Sequence, residues 1–263
     1  MGTIIRLLAL GDIVGKPGRE VIAKRLPELR EKEKIDFAIG NGENVAGGNG
    51  LTPDLAEKLF ASGMDCLTNG DHVWNKRELI PAIQKDKRLL RPANYPEEQP
   101  GRGWAVYETP KGPVGVLNLQ GRVFMGTPAS CPFKMAEKAF QELAARTKVI
   151  AVDMHAEATS EKIAMGRFLD GRASCVFGTH THVQTSDEQV FPKGTGYITE
   201  LGMTGPYDSI LGRCVEPVLA KFVTGMPHPF EVAEGDPRMS GCLFTVDAGT
   251  GRALEVKRIH VKL

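Results

Sequence analysis

An α/β fold built on a mixed sheet, with helices on its faces, is predicted by three features of the sequence. Apolar runs of strand length alternate with segments of helical spacing through most of the chain, the pattern of βαβ units. The C-terminal stretch instead reads as an antiparallel hairpin, which makes the sheet mixed. With 263 residues, 41% apolar and 25% charged, the chain can bury a full core as one large domain, which excludes disorder, collagen and coiled coil.

Taken in order, Ile4–Leu10 is a continuous apolar run ending at Gly11-Asp12, as expected of a buried parallel strand feeding a functional loop. Arg19–Lys34 follows with Val21, Ile22, Leu26 and Leu29 on one side of a helix. Phe37–Gly40 is a second strand, and Pro53 opens a second helix with Thr52 at the N-cap position. Cys66-Leu67-Thr68 is a third strand, followed by a helix over Glu78–Lys85. Short strands are expected at Leu89–Leu90, Gly103–Glu108 and Val114–Leu119. Pro132–Arg146 is amphipathic and precedes a strand at Lys148–Met154, and a helix over Ser160–Leu169 precedes a strand at Ser174–Phe177. Thr159 or Ser160 can cap that helix, with Glu161 and Lys162 in its first turn. Residues 199–237 are rich in Gly and Pro and hold one helix, Val215–Phe222, long enough for a lid, a small insert or a subunit contact in a likewise expected homo-oligomer. Cys242–Val246, the turn Ala248–Gly251 and Leu254–Lys262 form the closing hairpin.

The 33 basic and 32 acidic residues leave a net charge of +1, which argues against an extended nucleic-acid surface but leaves room for one phosphate pocket. The five scattered cysteines form no CxxC pair, so neither a disulfide framework nor a thiolate zinc site is expected. No apolar stretch reaches the ~20 residues that span a bilayer, and MGTIIRLLALGDIVG has no leader-type organisation. A cytoplasmic protein is the expectation.

Ligand-type side chains stand just after the apolar runs: Asp12, then Glu43 and Asn44, then Asp71 and His72, then His155, then His180 and His182. In an open α/β sheet the strand ends gather around one crevice, so these segments can meet. Each has a bland alternative. Gly11–Gly15 can be a tight turn, GENVAGGNG a loop, Asp71-His72 a cap and a core histidine, and His155 a buried structural residue. His180-Thr181-His182 is more specific, because residues two apart in extended backbone face one side. Three carboxylates, an amide and several imidazoles exceed the needs of one ion and suit Mn, Fe, Zn or Ni better than Ca. A carboxylate such as Glu43 can bridge two ions roughly 3.5–4 Å apart, the arrangement of two-metal phosphoesterases.

At this point the chain resembles a known family. Gly11-Asp12, Gly42-Glu43-Asn44, Gly70-Asp71-His72, His155 and Gly178-Thr179-His180-Thr181-His182 resemble, in order, the five blocks of calcineurin-like metallophosphoesterases. The strings GDIVGKPGR, NGENVAGGNGLT, TNGDHVWNK, RPANYP, HAEATSEK, GTHTHVQTSDE and GMTGP are similar to the YmdB-like branch, described as cyclic-nucleotide phosphodiesterases. The resemblance implies a layered metallophosphoesterase fold with mixed sheets flanked by helices. It also implies two metal ions, divalent or mixed-valence, Fe or Mn. Asp12, Glu43, Asn44 and His182 would hold one, Glu43, Asp71, His155 and His180 the other, and His72 would be the acid. Two departures stand out: Val14 occupies a position that is histidine in the wider superfamily, where the resemblance to the YmdB-like branch implies that Asn44 would fill the vacancy, and Asp71 stands in place of the usual asparagine.

The function expected is hydrolysis of a 2′,3′- or 3′,5′-cyclic nucleotide by a metal-bridging hydroxide, with no Ser or Cys nucleophile. The rivals are a phosphomonoesterase or protein phosphatase on the same metals, and a non-catalytic regulator that binds nucleotide or RNA. Arg91, Asn94 and Tyr95 in RPANYP can contact substrate or build a turn, and Trp74 and Trp104 are expected to pack.

Overall fold

The computed structural model describes residues 2–263. The elements are β1 (Ile4–Leu10), β2 (Asp12–Ile13), α1 (Gly15–Glu33), β3 (Phe37–Asn41), α2 (Pro53–Ala61), β4 (Cys66–Thr68), α3 (Leu79–Lys85), β5 (Trp104–Tyr107), β6 (Val114–Gln120) and α4 (Pro132–Leu143). They continue as β7 (Val149–His155), α5 (Thr159–Phe168), β8 (Cys175–Thr179), β9 (Gln189–Val190), β10 (Gly196–Ile198), β11 (Met203–Pro206), α6 (Val215–Thr224), β12 (Pro237–Asp247) and β13 (Ala253–Lys262).

The strands form two mixed sheets. The first runs β2-β11-β12-β1-β3-β4 with β13 on the free edge of β12, and the second runs β5-β6-β7-β8-β10-β9. In the first, β1 is parallel to β3 and antiparallel to β12. In the second, β6, β7 and β8 are parallel, with Gln120 opposite His155 and His155 opposite Thr179. Alternation along each strand explains the layering. Ile5, Leu7 and Ala9 of β1 enter a core shared with Val116, Ala151 and Phe177 of the second sheet. Leu8 and Leu10 face Val21, Ile22 and Leu26 of α1. On the far side, Leu117, Ile150 and Val152 pack against Ala136 and Phe140 of α4 and Met165 of α5. Two sheets therefore lie face to face with helices outside each, where the strand pattern alone had suggested one sheet.

Several local expectations change. α1 begins at Gly15, four residues earlier than expected, and Leu89 and Leu90 make only isolated bridges rather than a strand. Thr52 has the extended backbone of an N-cap, but its hydroxyl makes no capping bond. The N-cap of α5 is Ala158, not Thr159 or Ser160. Glu161 instead accepts hydrogen bonds from the backbone N–H of Arg122 and Val123, and so holds the loop after β6. Residues 199–237 contribute β11 to the first sheet as well as α6, and Arg213 donates to the carbonyls of Gly47 and Gly48 in the loop after β3. Trp74 packs against the core beside α2 and α3 and donates to Gln99.

Candidate metal centre

The ends of β1, β3 and β4 in the first sheet and of β7 and β8 in the second meet at one place. Asp12 follows β1 on the short strand β2, Glu43 and Asn44 lie in the turn after β3, and Asp71 and His72 lie in the turn after β4. His155 is the last residue of β7, and His180 and His182 follow β8. Gly70 makes room: a Cβ there would stand 2.1 Å from His155 Nε2 and 2.4 Å from Glu43 Oε2.

One atom each from Glu43, Asp71, His155 and His180 lie within 4.8 Å of one another, a group able to hold a metal ion. His155 Nε2 is 3.2 Å from Asp71 Oδ1, 3.4 Å from Glu43 Oε1 and 3.2 Å from His180 Nδ1. Beside them, His182 Nε2 is 3.6 Å from Asp12 Oδ1 and 3.3 Å from Asn44 Nδ2. Asn44 Nδ2 is also 3.3 Å from Glu43 Oε1, so Glu43 faces both groups. His180 and His182 do not sit on extended backbone: their φ values are +98° and +64°, and this left-handed turn sends the two rings to different neighbours.

The electrostatics are those of a site built for a cation. Asp12 and Glu43 are buried, and among the described residues neither they nor Asp71 has a Lys or Arg partner within ion-pair distance. Asp12 Oδ1 is buried without a hydrogen-bond partner. Burial pushes the Asp12 carboxyl up, but His182 outweighs it and holds the group well below the carboxylate range. Asp71 is likewise depressed, burial being overcome by His155. The reciprocal effect raises His155 and His182 against their own burial, through Glu43 and Asp12 respectively, whereas burial and the neighbouring His155 lower His180. A cation would take the place of protons on these rings.

Residues 8–259 match the model of the YmdB-like protein family. The chain belongs to that family. A relative from Bacillus subtilis, 47% identical over 98% of this chain and 97% of its own, is named 2′,3′-cyclic-nucleotide 2′-phosphodiesterase. One from Mycoplasma pneumoniae, 34% identical over 98% of this chain and 93% of its own, is named a putative phosphatase/phosphodiesterase. Among solved structures, a hypothetical protein from Thermus thermophilus superposes with a TM-score of 0.92 at 38% identity, covering 98% of this chain and 99% of that one. A 5′-nucleotidase-type structure from Staphylococcus aureus, at 14% identity and a TM-score of 0.64, covers 98% of this chain and 54% of that one, and shares the fold.

Within this YmdB-like protein the remaining expected residues divide. His72 is a third exposed and stands outside the four-residue group. Its Nδ1 lies 2.9 Å from Asn44 Oδ1 and its backbone N–H donates to Glu43 Oε2. Asn44 thus presents its oxygen to His72 and its nitrogen to His182; a half-turn of the amide exchanges the two. Tyr95 is buried with its hydroxyl unpartnered, near enough to Asp71 and Glu43 for their charges to help burial raise it to about 12. The Arg91 guanidinium, by contrast, donates to the carbonyls of Pro92, Gln99 and Pro100. Asn94 donates to the carbonyls of Gln120 and Ser130, so both side chains are engaged in building the loop.

Three supports were not anticipated from the sequence. His155 Nδ1 lies 2.9 Å from Thr179 Oγ1, which donates to the buried Asp153 carboxylate at 2.7 Å, and Thr68 donates to the other oxygen of Asp153. Glu157 Oε2 is 3.3 Å from His180 Nε2. The carbonyl of Leu211, in the 199–237 segment, is 3.2 Å from His182 Nδ1. Each contact occupies the ring nitrogen turned away from the cluster and so selects the tautomer that leaves the inward nitrogen free. The signal for Asp153 was present as a carboxylate inside the apolar run of β7.

Proposed function

We propose that this YmdB-like protein is a metal-dependent phosphodiesterase acting on 2′,3′-cyclic nucleotides, with 3′,5′-cyclic nucleotides as the weaker alternative. The observation that carries the reading is the convergence of Glu43, Asp71, His155 and His180 on one point beside a histidine, His72, that is not part of that group. The near full-length relative named as a 2′,3′-cyclic-nucleotide 2′-phosphodiesterase favours the first substrate.

Asp12, Glu43, Asn44 and His182 would hold one ion and Glu43, Asp71, His155 and His180 a second, with the oxygen of Asn44 turned inward. Two such ions, Fe or Mn as the family resemblance implies, would supply charge to the phosphoryl oxygens and water that ionises near neutral pH. Glu43 and Asp71 would balance that charge, and the Asn44 amide, its oxygen turned inward, would donate its N–H to His72 Nδ1 and fix the ring. His72 then carries a proton on Nε2 and delivers it to the departing sugar oxygen as the phosphorus–oxygen bond breaks. For a 2′,3′-cyclic substrate cut at the 2′ oxygen, water adds to phosphorus and the product is a nucleoside 3′-phosphate.

Assay of purified protein on cyclic nucleotides, linear diesters and monoesters, with metal content measured alongside, tests the reading. Diesterase activity should vanish on chelation and return with Mn or Fe(II), and His72→Ala should lower turnover roughly 10²–10⁴-fold with metal content unchanged. The loss should be smaller for a nitrophenyl diester, whose leaving group needs little protonation. A preference for monoesters would instead support a phosphatase, and activity in metal-free protein would overturn the mechanism.

A further inference from the structure

Behind the His180-Thr181-His182 turn lies a buried ion pair with no part in the reaction described above. Lys162 of α5 and Glu200, just after β10, are both about 1% exposed, and their Nζ and Oε2 atoms are 2.6 Å apart. The same Oε2 accepts hydrogen bonds from the Thr181 hydroxyl at 2.6 Å and the Thr181 backbone N–H at 3.1 Å. Lys162 Nζ also reaches Thr181 Oγ1 at 3.0 Å. The second carboxylate oxygen, Oε1, accepts the N–H of Gly202, whose carbonyl in turn accepts the N–H of Asp12. One carboxylate therefore grips the residue between the two histidines and, two hydrogen bonds away, the segment that carries Asp12.

The surroundings are shaped for this pair. A Cβ at Gly178 would stand 2.7 Å from Lys162 Cδ and 1.8 Å from the Thr199 carbonyl oxygen, so a glycine in β8 leaves the channel through which the lysine passes. The turn itself needs restraint, since His180 and His182 both hold positive φ, which L-residues with a Cβ seldom adopt. Two ions in a closed interior are costly to desolvate, so a pair kept there with every oxygen of Glu200 engaged points to a specific geometric task.

We infer that Lys162 and Glu200 are positioning residues that hold the left-handed His180-Thr181-His182 turn, and with it the aim of both imidazoles and Asp12. The inference rests on the metal-centre reading only for its consequence in metal affinity, because the aim of the rings can be read without metal.

The test uses Lys162→Met/Glu200→Gln, which removes both charges but keeps the volumes, a replacement that buried pairs often tolerate. In metal-free protein, the imidazole nitrogen NMR signals of His180 and His182 should move while those of His228 and His260 stay in place, with the melting temperature within a few degrees of wild type. Mn titration should show affinity lowered roughly tenfold, the scale of losing support behind a ligand. Unmoved His180 and His182 signals with wild-type Mn affinity would overturn the inference. If the double variant does not fold, Thr181→Val removes only the hydroxyl link; it should move the same two signals, and no movement would equally overturn the inference. If wild-type protein takes up no Mn, the metal-centre reading fails and the ring signals alone decide the positioning role.

Discussion

Asp71 is one of two positions at which this chain departs from the pattern it otherwise resembles, and its surroundings make the departure testable. Its Oδ1 faces both His155 Nε2, at 3.2 Å, and His180 Nδ1, at 3.5 Å. A carboxylate there adds a third negative charge to those of Asp12 and Glu43, and it should bind the second ion more tightly than a neutral amide while making it a weaker Lewis acid. Asp71→Asn is therefore expected to keep the fold and measurable diesterase activity but to need roughly tenfold more Mn for half-loading. Wild-type affinity in both Asp71→Asn and Asp71→Ala would remove it from the metal centre. The neighbouring histidines make a second expectation. His155 and His182 are raised above the ordinary 6.5, so without metal they keep their protons into the neutral range, and that favourable pairing fades as pH rises through their raised values. Metal must displace those protons. Calorimetric titration at pH 7 in buffers of different ionisation enthalpy should register proton release, and apparent affinity should climb with pH. Uptake without proton release would show both rings already neutral.

At the scale of elements, the strand ends were legible because parallel strands buried on both faces read as unbroken apolar runs that stop where polar ligands begin. Asp12, Glu43, Asp71, His155 and His180 could be picked out by that punctuation. What covers a strand was not legible: Leu7 and Leu8 look alike in sequence, yet Leu7 faces a second sheet and Leu8 a helix. The short strands β9, β10 and β11 span two to four residues, too few for any periodicity to show. Partners distant in sequence, such as Lys162 with Glu200 or His182 with Leu211, leave no local trace. α6 carries the remaining element-level expectation, that residues 199–237 serve a subunit contact. Phe222 and Val223 are 80% and 83% exposed, with Leu219 and Met226 also open. Solvent-facing apolar side chains in such a group are a common mark of an interaction surface. If the expected homo-oligomer uses this face, Phe222→Ser/Val223→Ser should lower the mass measured by light scattering without lowering the melting temperature. An unchanged mass would place the contact elsewhere or leave the chain monomeric.

At the scale of the whole molecule, the metal centre sits where two sheets meet, and its residues are divided between them. Asp12, Glu43 and Asp71 come from the first sheet, His155 and His180 from the second. The sheets are otherwise held together mainly by the apolar layer between them, which is continuous toward the far end of the strands. At the site end that layer gives way to carboxylates and imidazoles, so without a cation only the protons on His155 and His182 offset the charge of Asp12, Glu43 and Asp71. Metal binding should consequently stabilise the fold and do so locally. At a free metal concentration 1,000 times the dissociation constant, linkage gives about 4 kcal/mol, which for a chain of this size corresponds to roughly 10 °C in melting temperature. Chelation should lower the melting point by about that much. Hydrogen exchange should rise at the ends of β3, β4, β7 and β8 nearest the site, while the middle of β12 and β13 stays protected. A uniform increase across both sheets would mean that the ions stabilise the fold without bridging its halves, and an unchanged melting point would mean that the carboxylates and histidines already satisfy one another.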